Sequence, residues 1–291
     1  MEKEQITILK ERGLISVSGL DAKDFLQNIL TNDVDKVVES NSIFSAILTP
    51  QGKYLYEFFI VKSSNGYYLD CDSDFTNEII ENLSKYKLRS KIEIEDLSTE
   101  YVVGIISLEK FTEIQSVEKK NTQTILSGES SVFIDPRKKE LGARILSNLK
   151  NLHLIIKKNN LKIIDEKSYL NKAYNYGIPI QGLRNLIDQL FGLEANLEQL
   201  NAIDFKKGCY VGQENTARMK LKNKIRRKLL PVKTQHELQI GSEIFFNDLN
   251  IGKILINKPY PFGLIKISEP EFSAFKDKEL SVEKKKVKII L

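Results

Sequence analysis

The sequence predicts an α+β protein whose C-terminal part closes into a small antiparallel β-barrel. Three observations lead there. Strand-like alternation and helix-like spacing are intermixed through most of the chain instead of being segregated. From Lys228 onward the pattern changes to short strands at regular spacing, with Gly241, Gly252 and Gly263 read as turns. No internal repeat or low-complexity tract interrupts either part. The chain therefore divides into an α+β body over residues 1–226 and a barrel over residues 227–291.

The elements follow in order. ITIL and LISVS flank Arg12-Gly13, which reads as a tight hairpin turn. Asp21 is placed to cap a helix whose apolar positions Phe25, Leu26, Ile29 and Leu30 recur at helical spacing. SIFSAILT, the turn Pro50-Gln51-Gly52-Lys53 and YLYEFFIV read as strand, turn and strand. Asn65-Gly66 makes the next hairpin, because both residues tolerate the positive φ that such turns need. A helix from about Ser73 places Phe75, Ile79, Ile80, Leu83 and Tyr86 on one face. KIEIE and YVVGIIS are strands, and residues 110–130 read as a loop or a weakly specified strand pair. VFIDPR and LGARIL frame a turn before the polar stretch around Lys157-Lys158-Asn159-Asn160. A helix from about Asp165 ends at Gly177, with Pro179 as the stop signal.

Composition narrows the function classes. With 291 residues and 41% hydrophobic content, the chain can build a core without disulfides or metals. Its charge balance, 44 − 39 = +5, suits an anionic ligand or RNA and compels neither. Cys71 and Cys209 stand far apart, so no disulfide framework or metal-ligand spacing can be read. His153 and His236 are isolated, which argues against a histidine triad. Sparse cysteines suit a reducing cytosol. The charged N-terminus lacks a signal-peptide core, and no apolar run nears the roughly 20 residues needed to span a bilayer. The expectation is a soluble, cytoplasmic protein with no membrane contact.

The most unusual stretch is Phe205-Lys206-Lys207-Gly208-Cys209-Tyr210-Val211-Gly212-Gln213-Glu214, followed by Ala217-Arg218. Two glycines bracket Cys209 and Tyr210, allowing positive φ or close approach to a ligand. Lysines just before a thiol would favour its thiolate if their heads lie nearby. Gln213, Glu214 and Arg218 add an amide, an acid and a planar cation, a set able to grip a polar heterocycle with an anionic tail. The plainer reading, a small buried cysteine in a glycine-containing loop, stands beside it.

The run Lys-Gly-Cys-Tyr-x-Gly-Gln-Glu from Lys207 to Glu214 resembles the signature of the YgfZ-type folate-binding proteins. Other stretches resemble the same family: Gly19-Leu20-Asp21 with Phe25-Leu26-Gln27, Thr31-Asn32-Asp33-Val34, and Thr49-Pro50-Gln51-Gly52-Lys53. So do Asp135-Pro136-Arg137, Leu141-Gly142 with Arg144, and Glu194-Ala195-Asn196-Leu197. The resemblance covers roughly residues 14 to 265. It implies the aminomethyltransferase (GcvT)-like folate-binding fold, with tetrahydrofolate or another reduced folate in a central hole. It further implies cofactor contacts from Glu194, Asn196, Lys207, Tyr210, Gln213, Glu214 and Arg218, and Cys209 as a candidate reactive thiol. The implied role is that of an accessory protein in assembly or repair of iron–sulfur enzymes, including tRNA-modifying ones. Its partners would be iron–sulfur assembly proteins or client enzymes.

Two departures qualify the resemblance. The transferase chemistry needs an acidic pair after the first hairpin, and Tyr56-Glu57 stands in its place, with Glu57 able to alternate outward on its strand. An arginine expected near the Gly-x-Pro turn is replaced by Ala173, beside Lys172. With no tryptophan, stacking on a pterin would fall to Phe or Tyr.

Lys220, Lys222, Lys224, Arg226, Arg227 and Lys228 form a dense basic stretch. Strand alternation would put Lys220, Lys222 and Lys224 on one face, as a lysine-protected edge or as a phosphate or folate-tail contact. Lys284-Lys285-Lys286 reads as solvent-exposed. Two alternatives accompany the accessory-factor reading: a tetrahydrofolate-dependent one-carbon transferase or demethylase, and an RNA-binding module with a weak contact through residues 220–228.

Overall fold

The computed structural model describes residues 2–115, 122–127 and 130–290. Its first elements are β1 (Gln5–Leu9), β2 (Arg12–Ser18), α1 (Ala22–Ile29), β3 (Ile43–Leu48), β4 (Tyr54–Ser63), β5 (Gly66–Asp72) and α2 (Thr76–Lys87). Next come β6 (Glu93–Asp96), β7 (Tyr101–Ile106), α3 (Leu108–Gln115), β8 (Thr124–Ser127), β9 (Ser130–Ile134) and β10 (Ala143–Asn148). Helix α4 (Leu149–Lys158), β11 (Lys162–Ile164), α5 (Lys167–Asn175) and α6 (Gln213–Leu221) lead into the last strands. These are β12 (Arg227–Lys233), β13 (Glu243–Phe246), β14 (Leu249–Ile256), β15 (Phe262–Lys266), β16 (Leu280–Val282) and β17 (Lys285–Ile289).

The chain forms two compact units. The first takes Met1–Ile47, Tyr56–Tyr169 and Gln199–Val211, and the second takes Leu48–Leu55, Leu170–Glu198 and Gly212–Leu291. Residues 48–55 and 199–211 each fall in a different unit from the residues on both sides of them in sequence.

In the first unit, one sheet has the order β11-β1-β7-β10-β9-β8 and a second has the order β3-β4-β5-β2-β6. The expected hairpin at Arg12-Gly13 does not form. Strand β1 pairs with β7 and β11, while β2 pairs with β5 and β6. Both strands are apolar and sequence-adjacent, but each buries its own face in a different sheet, so adjacency was a misleading guide. Ile6, Ile106, Phe111, Val132, Ile145 and Leu152 form a core against the first sheet. The β4–β5 hairpin is as expected, with β5 beginning at Gly66.

Helices α3 and α4 were not anticipated. Of the stretch 110–130, read as a loop or a weak strand pair, residues 110–115 belong to α3, β8 pairs with β9 at its far end, and residues 116–121 and 128–129 lie outside the described ones. The Lys157-Lys158 stretch proves to be the last turn of α4, whose N-cap Asn148 accepts from the Asn151 amide at 2.8 Å. Asp21 precedes α1 without capping it, since its Oδ2 instead accepts from the Lys91 amide at 2.6 Å.

In the second unit, β12-β15-β14-β13-β16-β17 close into a barrel. Val232, Ile244, Ile251, Ile254, Ile265 and Phe275 fill it. Closure removes the unpaired edges that a short open sheet would expose. Gly241 lies at a turn with φ +88°, but Gly252 and Gly263 sit inside β14 and β15. A Cβ on Gly252 would meet the Leu264 carbonyl at 2.3 Å, so this glycine serves strand packing in place of chain reversal. The Lys220–Lys224 stretch is no strand either. Lys220 lies in the last turn of α6, Lys222 is its C-cap and Asn223 turns away at φ +46°. No helix of the described residues is long and apolar enough to cross a membrane.

Candidate functional site

In the first unit the signature segment is fastened to the end of α1 before it exposes its thiol. The Thr31 hydroxyl donates to the Ala202 carbonyl at 2.6 Å, and the Asn32 amide group donates to the Asn201 carbonyl at 2.8 Å. The Asp204 amide donates to the Thr31 carbonyl at 3.0 Å. Lys207 completes the attachment. Its ammonium donates to the carbonyls of Gln27, Leu30 and Asn32 at 2.7, 2.6 and 3.0 Å. The Gln27 and Leu30 carbonyls are acceptors that a helix end leaves without intrahelical partners, and a cation there also complements the helix dipole. An ammonium has three N–H groups, so all three are spent on the end of α1 and the segment just after it. Burial pushes Lys207 down to about 8, while the carboxylates of Asp33, Asp204 and Asp35 oppose the shift.

The loop's geometry follows from two anchors. Lys207 and Tyr210 are buried, with the ammonium 5.2 Å from the Tyr210 ring centroid. Between them, Gly208 and Cys209 face solvent. Cys209 is thus held out by a fixed backbone. The other cysteine is its opposite: Cys71 is fully buried, and burial raises its thiol to about 12. Of the two lysines before the thiol, Lys207 is committed to backbone carbonyls and Lys206 is exposed.

In the second unit, Glu194 is buried, and Arg227 holds its carboxylate with Nε at 2.8 Å and a terminal nitrogen at 3.0 Å. The Phe191 amide donates to Oε2 at 3.0 Å. Asn196, at φ +60°, donates from its side-chain amide to the Leu229 carbonyl at 2.6 Å. The Leu229 amide returns a bond to the Glu194 carbonyl at 2.8 Å. Glu194 and Asn196 are therefore locked onto β12.

The start of α6 is set by two glycines in contact. Gly52 and Gly212 have φ of +83° and +85°. A Cβ on Gly212 would lie 2.5 Å from the Thr49 carbonyl, and one on Gly52 would lie 3.2 Å from the Thr216 hydroxyl. The Asn215 side chain donates to the Gln51 carbonyl at 2.8 Å, and the Thr216 hydroxyl donates to the Gly212 carbonyl at 2.9 Å. Gln213 opens the helix, while Glu214 and Arg218 are exposed, with Arg218 donating to the Asn215 side chain at 2.8 Å.

The eight residues singled out thus divide. Lys207, Cys209 and Tyr210 belong to the first unit, and Glu194, Asn196, Gln213, Glu214 and Arg218 to the second. The structure brings Glu194 together with Asn196, and Gln213, Glu214 and Arg218 share α6.

A buried charge network in the first unit had no local signal. Asp70 accepts from Arg12 at 2.7 Å and from Arg144 at 2.6 Å. Tyr169 accepts from Arg144 and Arg137 at 3.3 and 3.2 Å. Asp135 grips Arg137 through both oxygens, which explains the Asp-Pro-Arg motif as a local fork. All three guanidiniums surround the Phe59 ring, at 5.9, 4.7 and 4.0 Å for Arg12, Arg137 and Arg144. Burial alone would raise the Asp70 carboxyl, but the two arginines and their hydrogen bonds outweigh it and hold it below the usual range. Glu57 is half-buried between buried Tyr56 and Phe58, and its charge acts on Arg137. Ala173 is fully buried on α5.

A fold with this body and barrel is that of the glycine cleavage aminomethyltransferases. The aminomethyltransferase T of the glycine cleavage system from Bartonella henselae superposes with a TM-score of 0.74, covering 97% of this chain and 83% of that one at 14% identity. The chain is similar in sequence to iron–sulfur cluster assembly factors of the IBA57 kind. The mitochondrial IBA57 homologue of Neurospora crassa is 31% identical over 234 residues, 78% of this chain and 53% of the relative. That of Dictyostelium discoideum is 30% identical over 258 residues, 79% and 62%. Mouse IBA57 is 28% identical over 245 residues, 79% and 66%. The chain thus spans little more than half the length of the first of these relatives. No protein-family model matches it.

Proposed function

We propose that this chain is an iron–sulfur cluster assembly factor that presents Cys209 to a cluster-bearing partner and uses a reduced folate as its cofactor. One observation carries the reading: the thiol is exposed between two buried anchors, Lys207 and Tyr210. Lys207 is desolvated in this mount, and its three carbonyl contacts compensate for that burial. The cluster is cargo here. Four thiolates are the usual ligand set, and among the described residues no group of three or more acids, histidines or cysteines could hold a metal. The remaining ligands would come from the partner.

Glu194 fits a folate. A carboxylate offers about four acceptor positions, and Arg227 and the Phe191 amide take three, leaving one oxygen lone pair for a heterocycle N–H. Asn196 would add a second polar contact, and Gln213, Glu214 and Arg218 would serve the more exposed end. Bound reduced folate would supply a redox-active pterin ring. The transferase alternative has less behind it, because Tyr56 occupies the place of one acid and donates to Glu78 at 3.2 Å. The named relatives are mitochondrial, and a cytoplasmic setting is the corresponding proposal for a chain with one exposed thiol.

The test is complementation. Cells lacking the chain should recover the activity of a cluster-dependent enzyme with the wild type and not with Cys209→Ser, while a cluster-independent enzyme stays constant in both. Full recovery with Cys209→Ser would sink the thiol role.

A further inference from the structure

On the first unit, α1 and the end of α2 leave a groove of about 300 Å³. Asp21, Asp24, Phe25, Asn28, Tyr86 and Val211 line it. The first four recur at helical spacing, so they form one stripe along α1. Phe25 is buried in the floor, while Tyr86 remains 37% exposed as a wall. Two leucines beside the groove are almost bare: Leu20 is 87% exposed and Leu88 is 89% exposed. Their loops are tied together, because the Asp21 amide donates to the Lys91 carbonyl and the Lys91 amide donates to Asp21 Oδ2 at 2.6 Å. Single exposed leucines are ordinary, but two flanking one aromatic-walled groove mark a contact surface.

The charge is one-sided. The lining contains two carboxylates and no cation. Lys23, also on α1, is paired with Asp35 at 2.5 Å, and Arg89 and Lys91 are exposed on the loop outside the lining. On a chain of net charge +5, an acidic groove selects a partner bearing a basic side chain.

The groove's lining reaches the segment that carries the thiol. Val211 lies two residues beyond Cys209, and Lys207 fastens that segment to the Gln27 and Leu30 carbonyls at the end of α1. From Asp21 to Asn28 the helix rises roughly 10 Å, at about 1.5 Å per residue. An extended peptide covers that span in about three residues.

We propose that this groove docks a segment of the cluster-bearing partner protein. A lysine or arginine of the segment meets Asp21 and Asp24, an apolar side chain rests on Phe25 and Tyr86, and a cysteine about three residues after the cation reaches Cys209. The inference rests on the assembly-factor reading and names the partner surface it requires.

Disulfide tethering tests it on the full chain. Three tetrapeptides, Lys-Leu-Gly-Cys, Glu-Leu-Gly-Cys and Lys-Ser-Gly-Cys, are supplied as mixed disulfides with 2-mercaptoethanol. The Cys209 thiolate displaces 2-mercaptoethanol, and intact mass reports how much competing thiol each adduct survives. The Lys-Leu peptide should survive about tenfold more 2-mercaptoethanol than either other peptide, a difference of about 1.4 kcal/mol. Asp24→Lys, at an exposed helix position, should reverse the Lys-against-Glu preference with an unchanged circular dichroism spectrum. Equal survival of all three peptides overturns the groove. If Cys209→Ser nonetheless fails in cells, the thiol reading stands without it; if Cys209→Ser also complements, both fall. A concentration-dependent dimer dissociated by Asp24→Lys would likewise overturn the proposal, by making a second copy the occupant.

Discussion

Arg227 holds Glu194 with both arms of its guanidinium, at 2.8 and 3.0 Å, across 33 residues of sequence. The carboxylate is 4% exposed and the guanidinium 38% exposed, so the pair lies at an edge between core and solvent. Arg227→Lys keeps the charge and loses the fork. Tetrahydrofolate affinity, measured by anaerobic calorimetric titration, should fall about tenfold while the protein loses about 1 kcal/mol of stability, discounted for the exposed partner. Unchanged affinity would remove Glu194 from the folate site.

Lys207→Met should destabilise the protein by about 2–3 kcal/mol in urea unfolding, because it leaves buried carbonyls at the end of α1 without donors. Lys206→Ala, at the exposed neighbour, should stay within about 0.5 kcal/mol. Equal effects of the two would mean that the three carbonyl contacts do not define Lys207's role.

Thiol counting separates the two cysteines. Ellman's reagent should titrate Cys209 at once in the native protein, and Cys71, buried with its thiol raised to about 12, only after denaturant is added. A native Cys209→Ser protein should then show no fast-reacting thiol. Rapid labelling of that variant would contradict the buried placement of Cys71.

Asp70 sets an acid limit. Its folded-state carboxyl lies below the ordinary value of about 3.9, so the unfolded chain binds more protons in that window. Stability from this group is complete above about pH 3.9 and is lost as pH falls through the lower, folded value. Asp70→Asn should lower stability at pH 7 by about 3 kcal/mol, since it strands Arg12 and Arg144 in the interior. Its stability curve should be flatter than that of the wild type below pH 4. Parallel curves would show that Asp70 is not the titrating group.

Local signals were read well where the physics is local. The β4–β5 hairpin at Asn65-Gly66, helix α5 before Pro179 and the barrel all rest on turn residues and short-range periodicity. Pairing between distant segments left no such mark. Nothing in ITIL or LISVS says that they enter different sheets, and the basic stretch after Met219 alternates like a strand while completing a helix. At the site, the signature pointed to Cys209, and its flanking glycines were consistent with an exposed loop. The destination of the Lys207 ammonium, the Arg227 fork and the Arg12–Asp70–Arg144 network depend on tertiary neighbours that no spacing rule encodes.

Gly52 and Gly212 press on each other at nearly the same left-handed φ, although 160 positions separate them (212 − 52). A Cβ on Gly212 would force the Thr49 carbonyl aside, and one on Gly52 would press on the Gly212 carbonyl at 3.3 Å, so a substitution at either bears on both turns. The hairpin Thr49–Lys53 and the glycine that opens α6 are then coupled through this contact. A distant chain that shows the signature without that hairpin glycine should not be expected to start its helix in the same place, however well the eight residues agree.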